Sequence, residues 1–135
     1  MSGKLIAARA VAEIGTQFRL RGRRAGVALD CVGLVLHALG EFADPELGKI
    51  GYRMRGDYHA LIRKAFEAMP FCRFGSDTTP TCGDILLVSP ASLQLHLLVF
   101  ARNGFVHAHA ALGRVVFCPG IPEWPLLDLW RLEVE

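Results

Sequence analysis

The chain has 135 residues, 52% of them hydrophobic and 21% charged, with a formal net charge of +2. That length suits one domain spanning 1–135 with a single core, and that composition excludes a disordered chain. No stretch approaches the roughly 18 apolar residues of a membrane span, and four cysteines (Cys31, Cys72, Cys82, Cys118) are too few to make a disulfide scaffold at this length.

Leu5, Ala8, Val11 and Ala12 recur at helical spacing, which predicts a helix from about Lys4 to Ile14 that ends at Gly15. Arg9 and Glu13 interrupt its apolar character and no small-residue cleavage pattern follows, so the segment reads as a helix and not as an export signal. A Gly- and Arg-rich loop comes next. Charge is uneven: residues 1–64 carry 11 Lys/Arg against 6 Asp/Glu, whereas residues 65–135 carry 4 against 7. The excess is sharpest in Arg19-Leu20-Arg21-Gly22-Arg23-Arg24, a cluster suited to phosphate, an anionic wall polymer or an acidic protein, or simply to a solvated loop. Without an aromatic stripe or a reading helix it does not point to nucleic acid.

Asp30 is a good N-cap, and Val32, Leu34, Val35, Leu36, Ala38 and Leu39 make the following residues a largely buried helix running to about Phe42. A third helix is expected from Asp57 to about Met69, on the spacing of Leu61, Ile62, Ala65, Phe66 and Met69. Residues 70–82 read as a loop. From Asp84 the period changes to that of strands: Ile85–Val88, Leu93–Ala101, Gly104–Ala110, Arg114–Cys118 and Leu126–Val134, with turn signals between them. Links that short join antiparallel neighbours. The expected class is therefore α+β, with N-terminal helices packed on a four- to five-stranded antiparallel sheet.

Cys31 stands at the first position of its helix. The positive end of the helix dipole favours thiolate there and can bring a thiol pKa from about 8.5 to roughly 3.5–7.5. Such a thiol becomes an acyl-transfer nucleophile when a base from elsewhere in the fold reaches it. The strands offer His96, in the middle of an apolar run, and His107 and His109, which share one face of the next strand. A two-residue Asn103-Gly104 turn would set His96 opposite Ala111 and leave His109 nearer than His107; a bulge or a turn shifted toward Ala101 would favour His107. Zinc is a rival use of His107, His109, His96 and Cys82 or Cys118, but the spacings match no tight Cys/His framework and leave Cys31 unexplained. His37 and His59 read as helix-surface residues, and Trp124 and Trp130 as core or rim packing. Cys72 and Cys82 can bridge a loop, although reduced thiols are expected.

Taken in order, Gly15-Thr16-Gln17-Phe18, Arg21-Gly22, Asp30-Cys31-Val32-Gly33-Leu34-Val35, Gly83-Asp84-Ile85-Leu86, His96-Leu97-Leu98-Val99-Phe100 and Phe105-Val106-His107-Ala108 resemble the NlpC family of papain-like cysteine peptidases, which cut peptides of bacterial cell walls. The resemblance implies the papain-like NlpC-type fold, no cofactor and no metal, with Cys31 as nucleophile, His96 as general base and His107 (or His109 in its place) orienting His96. It implies that the Cys31 N–H helps bind the oxyanion and that Asp30 meets the free amine of a peptidoglycan peptide. The family commonly has Tyr at the substrate-binding position held here by Phe18, so that hydroxyl is absent. The short form, Val32 after the nucleophile and the ending Pro119-Gly120…Trp130-Arg131 resemble most the branch carried by phage tails and gene transfer agents. That branch implies tail or baseplate proteins as partners, with synthesis in the cytoplasm, carriage in a particle and action at the cell wall. A noncatalytic tail-hub module with a degenerate peptidase fold is the alternative.

Overall fold

In the computed structural model, which describes residues 3–50 and 58–133, helices occupy the first half and strands the second. They are α1 (Gly3–Val11), β1 (Arg23–Arg24), β2 (Ala28–Leu29), α2 (Cys31–Leu39) with a 3-10 turn over Gly40–Phe42, α3 (Pro45–Gly48), α4 (Tyr58–Glu67), β3 (Phe71–Phe74), β4 (Ile85–Val88), β5 (His96–Ala101), β6 (Gly104–His109), β7 (Arg114–Pro119) and β8 (Leu126–Leu132). The main sheet runs in the order β3-β8-β4-β5-β6-β7 with every neighbouring pair antiparallel. The α+β expectation holds, with six strands in place of four or five. The extra strand, β3, lies in the segment read as a loop; three of its four residues are exposed, so it lacks the alternation by which strands are recognised. Asp57, the expected cap of α4, falls outside the described residues.

The β5–β6 turn also departs from expectation. Ala101 pairs with Gly104, Phe100 with Phe105 and Val99 with Val106, so Arg102 and Asn103 form the tip. Asn103 takes the left-handed conformation with φ 63°, which asparagine tolerates better than most residues. Gly104 begins the strand by pairing with Ala101 and Pro119, and glycine is needed there because a Cβ would run into the Phe117 ring and the Cys118 carbonyl.

Strand alternation divides the apolar residues between two faces. Leu97, Val99, Ala101, Val106, Ala108 and Trp130 join the four helices in the main core. Leu86, Val88, Leu98, Phe100, Phe105 and Leu129 form a smaller cluster on the other face, against which Trp124 packs. The aromatic anchor of the main core is Phe66, stacked on Trp130 with ring centroids 4.1 Å apart and edge-on to Phe71 at 5.6 Å. Phe66→Ala is expected to cost about 3–5 kcal/mol, measurable as a lower urea midpoint with unchanged slope.

His59 is not a free surface residue. Its Nε2 lies 2.6 Å from Asp128, a buried carboxylate that also takes a two-pronged contact from Arg63 at 2.8 and 3.0 Å, with Arg73 at 3.5 Å. A buried charge requires such partners, and these tie α4 and β3 to β8. All four cysteines are unpaired, as expected of reduced thiols.

Candidate active site

The start of α2 is built around Asp30. Its extended backbone ends the preceding strand, and its fully buried carboxylate caps the helix through Gly33 N at 2.8 Å. The same Oδ1 accepts from Arg23 Nη1 at 2.6 Å, and Oδ2 accepts from Arg21 N at 2.9 Å. The β1–β2 ribbon makes this possible by pairing Arg23 with Leu29 and Arg24 with Ala28, which folds the Arg-rich segment back over the helix start. Part of the cluster expected to be solvated is thereby turned inward, because a carboxylate out of water needs a counter-charge. The ribbon lies so close that a Cβ on Gly33 would meet the Gly22 carbonyl oxygen, and one on Gly22 would meet the Ala28 carbonyl at 2.7 Å. Glycine at both positions is what lets the two backbones touch.

Cys31 follows as the first helical residue and is only 1% exposed. Its sulfur accepts from the Leu97 and Val32 amides and feels the Arg23 charge, all of which favour thiolate. Burial outweighs them and, with the neighbouring Asp30 charge, pushes the thiol up to about 12. The sequence expectation of a lowered pKa therefore fails for this closed state. The helix dipole is a partial charge felt at the surface, whereas full desolvation acts on the whole thiolate.

The Leu97 contact locates the sulfur. Leu97 is the residue after His96, and the β5–β6 ladder stops at the Val99–Val106 pair, although β6 continues pairing with β7 out to His109 and Arg114. Beyond that point the two strands are not joined to each other. Cys31 approaches from the helical face, while His96 and His107, by alternation with Leu98 and Phe105, belong to the other face. The Leu97 amide brings the sulfur next to the backbone of His96, at the point where the ladder is open. Across it, His96 Nε2 and His107 Nδ1 lie 3.0 Å apart in a side-chain hydrogen bond. Sequence reasoning left the choice between His107 and His109 open. In the structure His107 takes the bond, whereas His109 Nδ1 accepts from Leu112 N at 3.2 Å and belongs to the β6–β7 turn.

With Nε2 committed to His107, the nitrogen of His96 nearer the backbone, Nδ1, is the one left for another partner. No hydrogen bond joins Cys31 to His96 among the described residues. His96 is lowered to about 3, chiefly by burial and then by the charges of His107 and His109; His107 is lowered to about 4, by burial and His109. Near neutral pH the site thus holds a neutral thiol and two neutral imidazoles. A consistent tautomer chain has His96 donating from Nε2 to His107 Nδ1, and His107 donating from Nε2 to Cys118 Sγ at 3.5 Å.

Two neighbours of the histidine pair escaped the sequence reading of a peptidase site. Cys118 stands opposite Phe105 in the β6–β7 register, and the Gly113 turn signal was enough to place it on the same face as His107. Trp124 sits edge-on to His96 and His107 with centroids 5.9 and 5.7 Å away; nothing local in the sequence marks it, because it arrives on the link between β7 and β8. A cavity of about 290 Å³ lined by His107, His109, Cys118 and Trp124 adjoins the pair. Phe18 is half-buried, packed on the main core and bridged to Leu29. Asp30 presents no exposed oxygen, so the amine contact expected of it finds no open face here. Among the described residues, no three His, Cys, Asp or Glu converge on a metal position, and no helix is long and apolar enough to cross a membrane.

No protein-family model and no curated protein matches the sequence. Solved structures do match. NlpC1 from Trichomonas vaginalis superposes with a TM-score of 0.67 at 15% identity, covering 98% of this chain and 45% of that one. The peptidoglycan hydrolase RipB from Mycobacterium tuberculosis gives 0.62 at 17% identity, covering 98% and 65%. RipD from the same organism, a non-catalytic NlpC/p60 domain protein adapted to peptidoglycan binding, gives 0.55 at 13% identity, covering 98% and 97%. The chain spans about half the length of the Trichomonas protein. The α+β arrangement of helices on a large antiparallel sheet is the fold of these NlpC/P60 domain structures.

Proposed function

We propose that the protein is a thiol peptidase that hydrolyses peptide bonds in the stem peptides of peptidoglycan. The observation that carries this reading is the 3.0 Å His96–His107 bond spanning the open ladder, one residue from the amide that holds the Cys31 sulfur. In the proposed reaction His96 Nδ1 takes the thiol proton as Sγ bonds to the scissile carbonyl carbon. The Cys31 N–H, which has no intrahelical acceptor at the first helical position, donates to the oxyanion. The C–N bond then breaks, His96 returns the proton to the leaving amine, and an acyl-thioester remains. Water, deprotonated by His96, attacks that thioester and releases the acid and the thiol. His107 holds the His96 ring in the tautomer this requires.

Proton transfer is coupled to attack in this scheme, because the resting pair is neutral. His96 loses its capacity as base only on protonation, below about pH 4, and the thiol does not ionise by itself until strongly alkaline pH. We expect kcat/KM to be level from about pH 5 to about pH 9. A bell centred near pH 6–7 in initial-rate measurements would instead show a preformed thiolate–imidazolium pair. The test of the function itself is digestion of purified muropeptides followed by mass analysis, where new free amines at a defined peptide bond are expected.

The buried thiol also favours a second reading, a noncatalytic wall-binding module, as printed for RipD. Unchanged muropeptides together with retention of the protein on insoluble wall would establish it. For the setting, the proposal is a phage-tail or gene-transfer-agent particle that brings the enzyme to the wall during DNA delivery. Its support is the likeness of Val32 and of the Pro119-Gly120…Trp130-Arg131 ending to that branch.

A further inference from the structure

Arg23 is the one guanidinium of the basic cluster bound into the helix start, and its bonds leave it incomplete. Nη1 donates to Asp30 Oδ1 at 2.6 Å and to the Gly22 carbonyl at 3.0 Å, and Nη2 donates once, to the Ile50 carbonyl at 3.4 Å. Arginine carries five N–H groups, so among the described residues Nε–H and one Nη2–H have no partner. The side chain is 29% exposed, whereas Asp30 behind it is not exposed at all. Of the two charges of this pair, the exposed one is therefore the positive one. Arg19, Arg21 and Arg24 are exposed in the same segment, which contains no acidic residue. The Arg23 charge is felt at the Cys31 thiol, which places it within electrostatic reach of the reacting atom.

The geometry points to Arg23 as a specificity residue: its two spare N–H groups bind a carboxylate of the substrate peptide beside Cys31, so the protein selects anionic peptides and disfavours a free ammonium at that place. A guanidinium anchored at three points keeps its remaining donors oriented, which suits a planar carboxylate better than a mobile lysine would. The inference rests on the peptidase reading for its substrate, and it can fail independently of that reading.

The test uses one synthetic stem-type tetrapeptide in two forms, with its carboxylates free and with them amidated. Affinity is measured calorimetrically on Cys31→Ala protein, which binds without turnover. The free-acid form is expected to bind about tenfold more tightly at low ionic strength, and the ratio is expected to fall as salt rises, without recourse to a second substitution. Adding Arg23→Gln should bring the ratio to about one, adding Arg23→Lys should retain part of it, and adding Arg24→Gln should leave it intact. Equal affinities, no binding of either form, a ratio insensitive to salt, or a ratio that survives Arg23→Gln would each overturn the assignment. Cleavage by the unsubstituted protein is scored separately. Preference in binding without cleavage removes the peptidase reading and leaves Arg23 as an anion selector; cleavage without preference does the reverse.

Discussion

Replacing Cys31 with alanine is expected to lower the release of new amines from muropeptides by more than about a thousandfold, the scale on which nucleophile deletions act in hydrolases. Removing one buried sulfur from a helix start keeps the Asp30 cap and the apolar packing of α2, so the circular dichroism spectrum should be unchanged and Tm should move by only a few degrees. His96→Ala should cost a comparable factor, and the double substitution should cost little more than either alone, because thiol and base act as a unit. Undiminished cleavage by the Cys31→Ala protein would remove the nucleophile from residue 31. Release rates are measured by amine derivatisation, with the substituted and unsubstituted proteins at equal folded concentration.

The second large effect falls on folding. Gly33→Ala is expected to destabilise the protein by about 3–5 kcal/mol, because the new methyl group meets a carbonyl oxygen of the backbone at Gly22 and not the yielding end of a side chain. Three contacts converge at that spot. The Gly33 amide is capped by Asp30, Asp30 is bound by Arg23, and the Gly22 carbonyl accepts from Arg23. Moving the ribbon aside to admit a methyl group would therefore uncover a buried carboxylate as well. Chemical denaturation should show a lower midpoint for Gly33→Ala, whereas Gly26→Ala, whose added carbon would meet nothing within 4 Å, should lose less and only through its φ of +77°. Equal losses at the two positions would show that backbone conformation, and not the Gly22 contact, governs the helix start.

These two substitutions also mark what can be read from sequence. The cap at Asp30, the thiol after it and the apolar face of α2 follow from local rules of capping and period, and they were legible. The sheet was legible from Ile85 onward for the same reason, since β-branched and aromatic runs separated by Gly, Pro and Asn signal strands one at a time. β3 was not, because Phe71-Cys72-Arg73-Phe74 becomes a strand only through its partner β8, 55 to 61 residues away. Electrostatics was least legible. The helix dipole is a sequence-local argument, but the burial that overrides it at Cys31 depends on how the helix meets β5. The role of Arg23 depended on the ribbon that turns it inward, and that ribbon has only two residues per strand. The histidine choice was not legible either: the observed register, continued, would set His96 opposite His109, and His107 takes the bond because the ladder ends at Val99–Val106.

The early end of the β5–β6 ladder has a consequence for robustness. Thiol and imidazole are carried by different layers of the molecule, one on a helix and the other on a strand, so no single loop fixes the distance between them. That distance is a property of how the helical layer sits upon the sheet. A small slip of one layer over the other, too slight to disturb either layer's own hydrogen bonds, would be enough to separate the partners, which makes the chemistry a more sensitive gauge of interlayer alignment than any measure of helix or strand content.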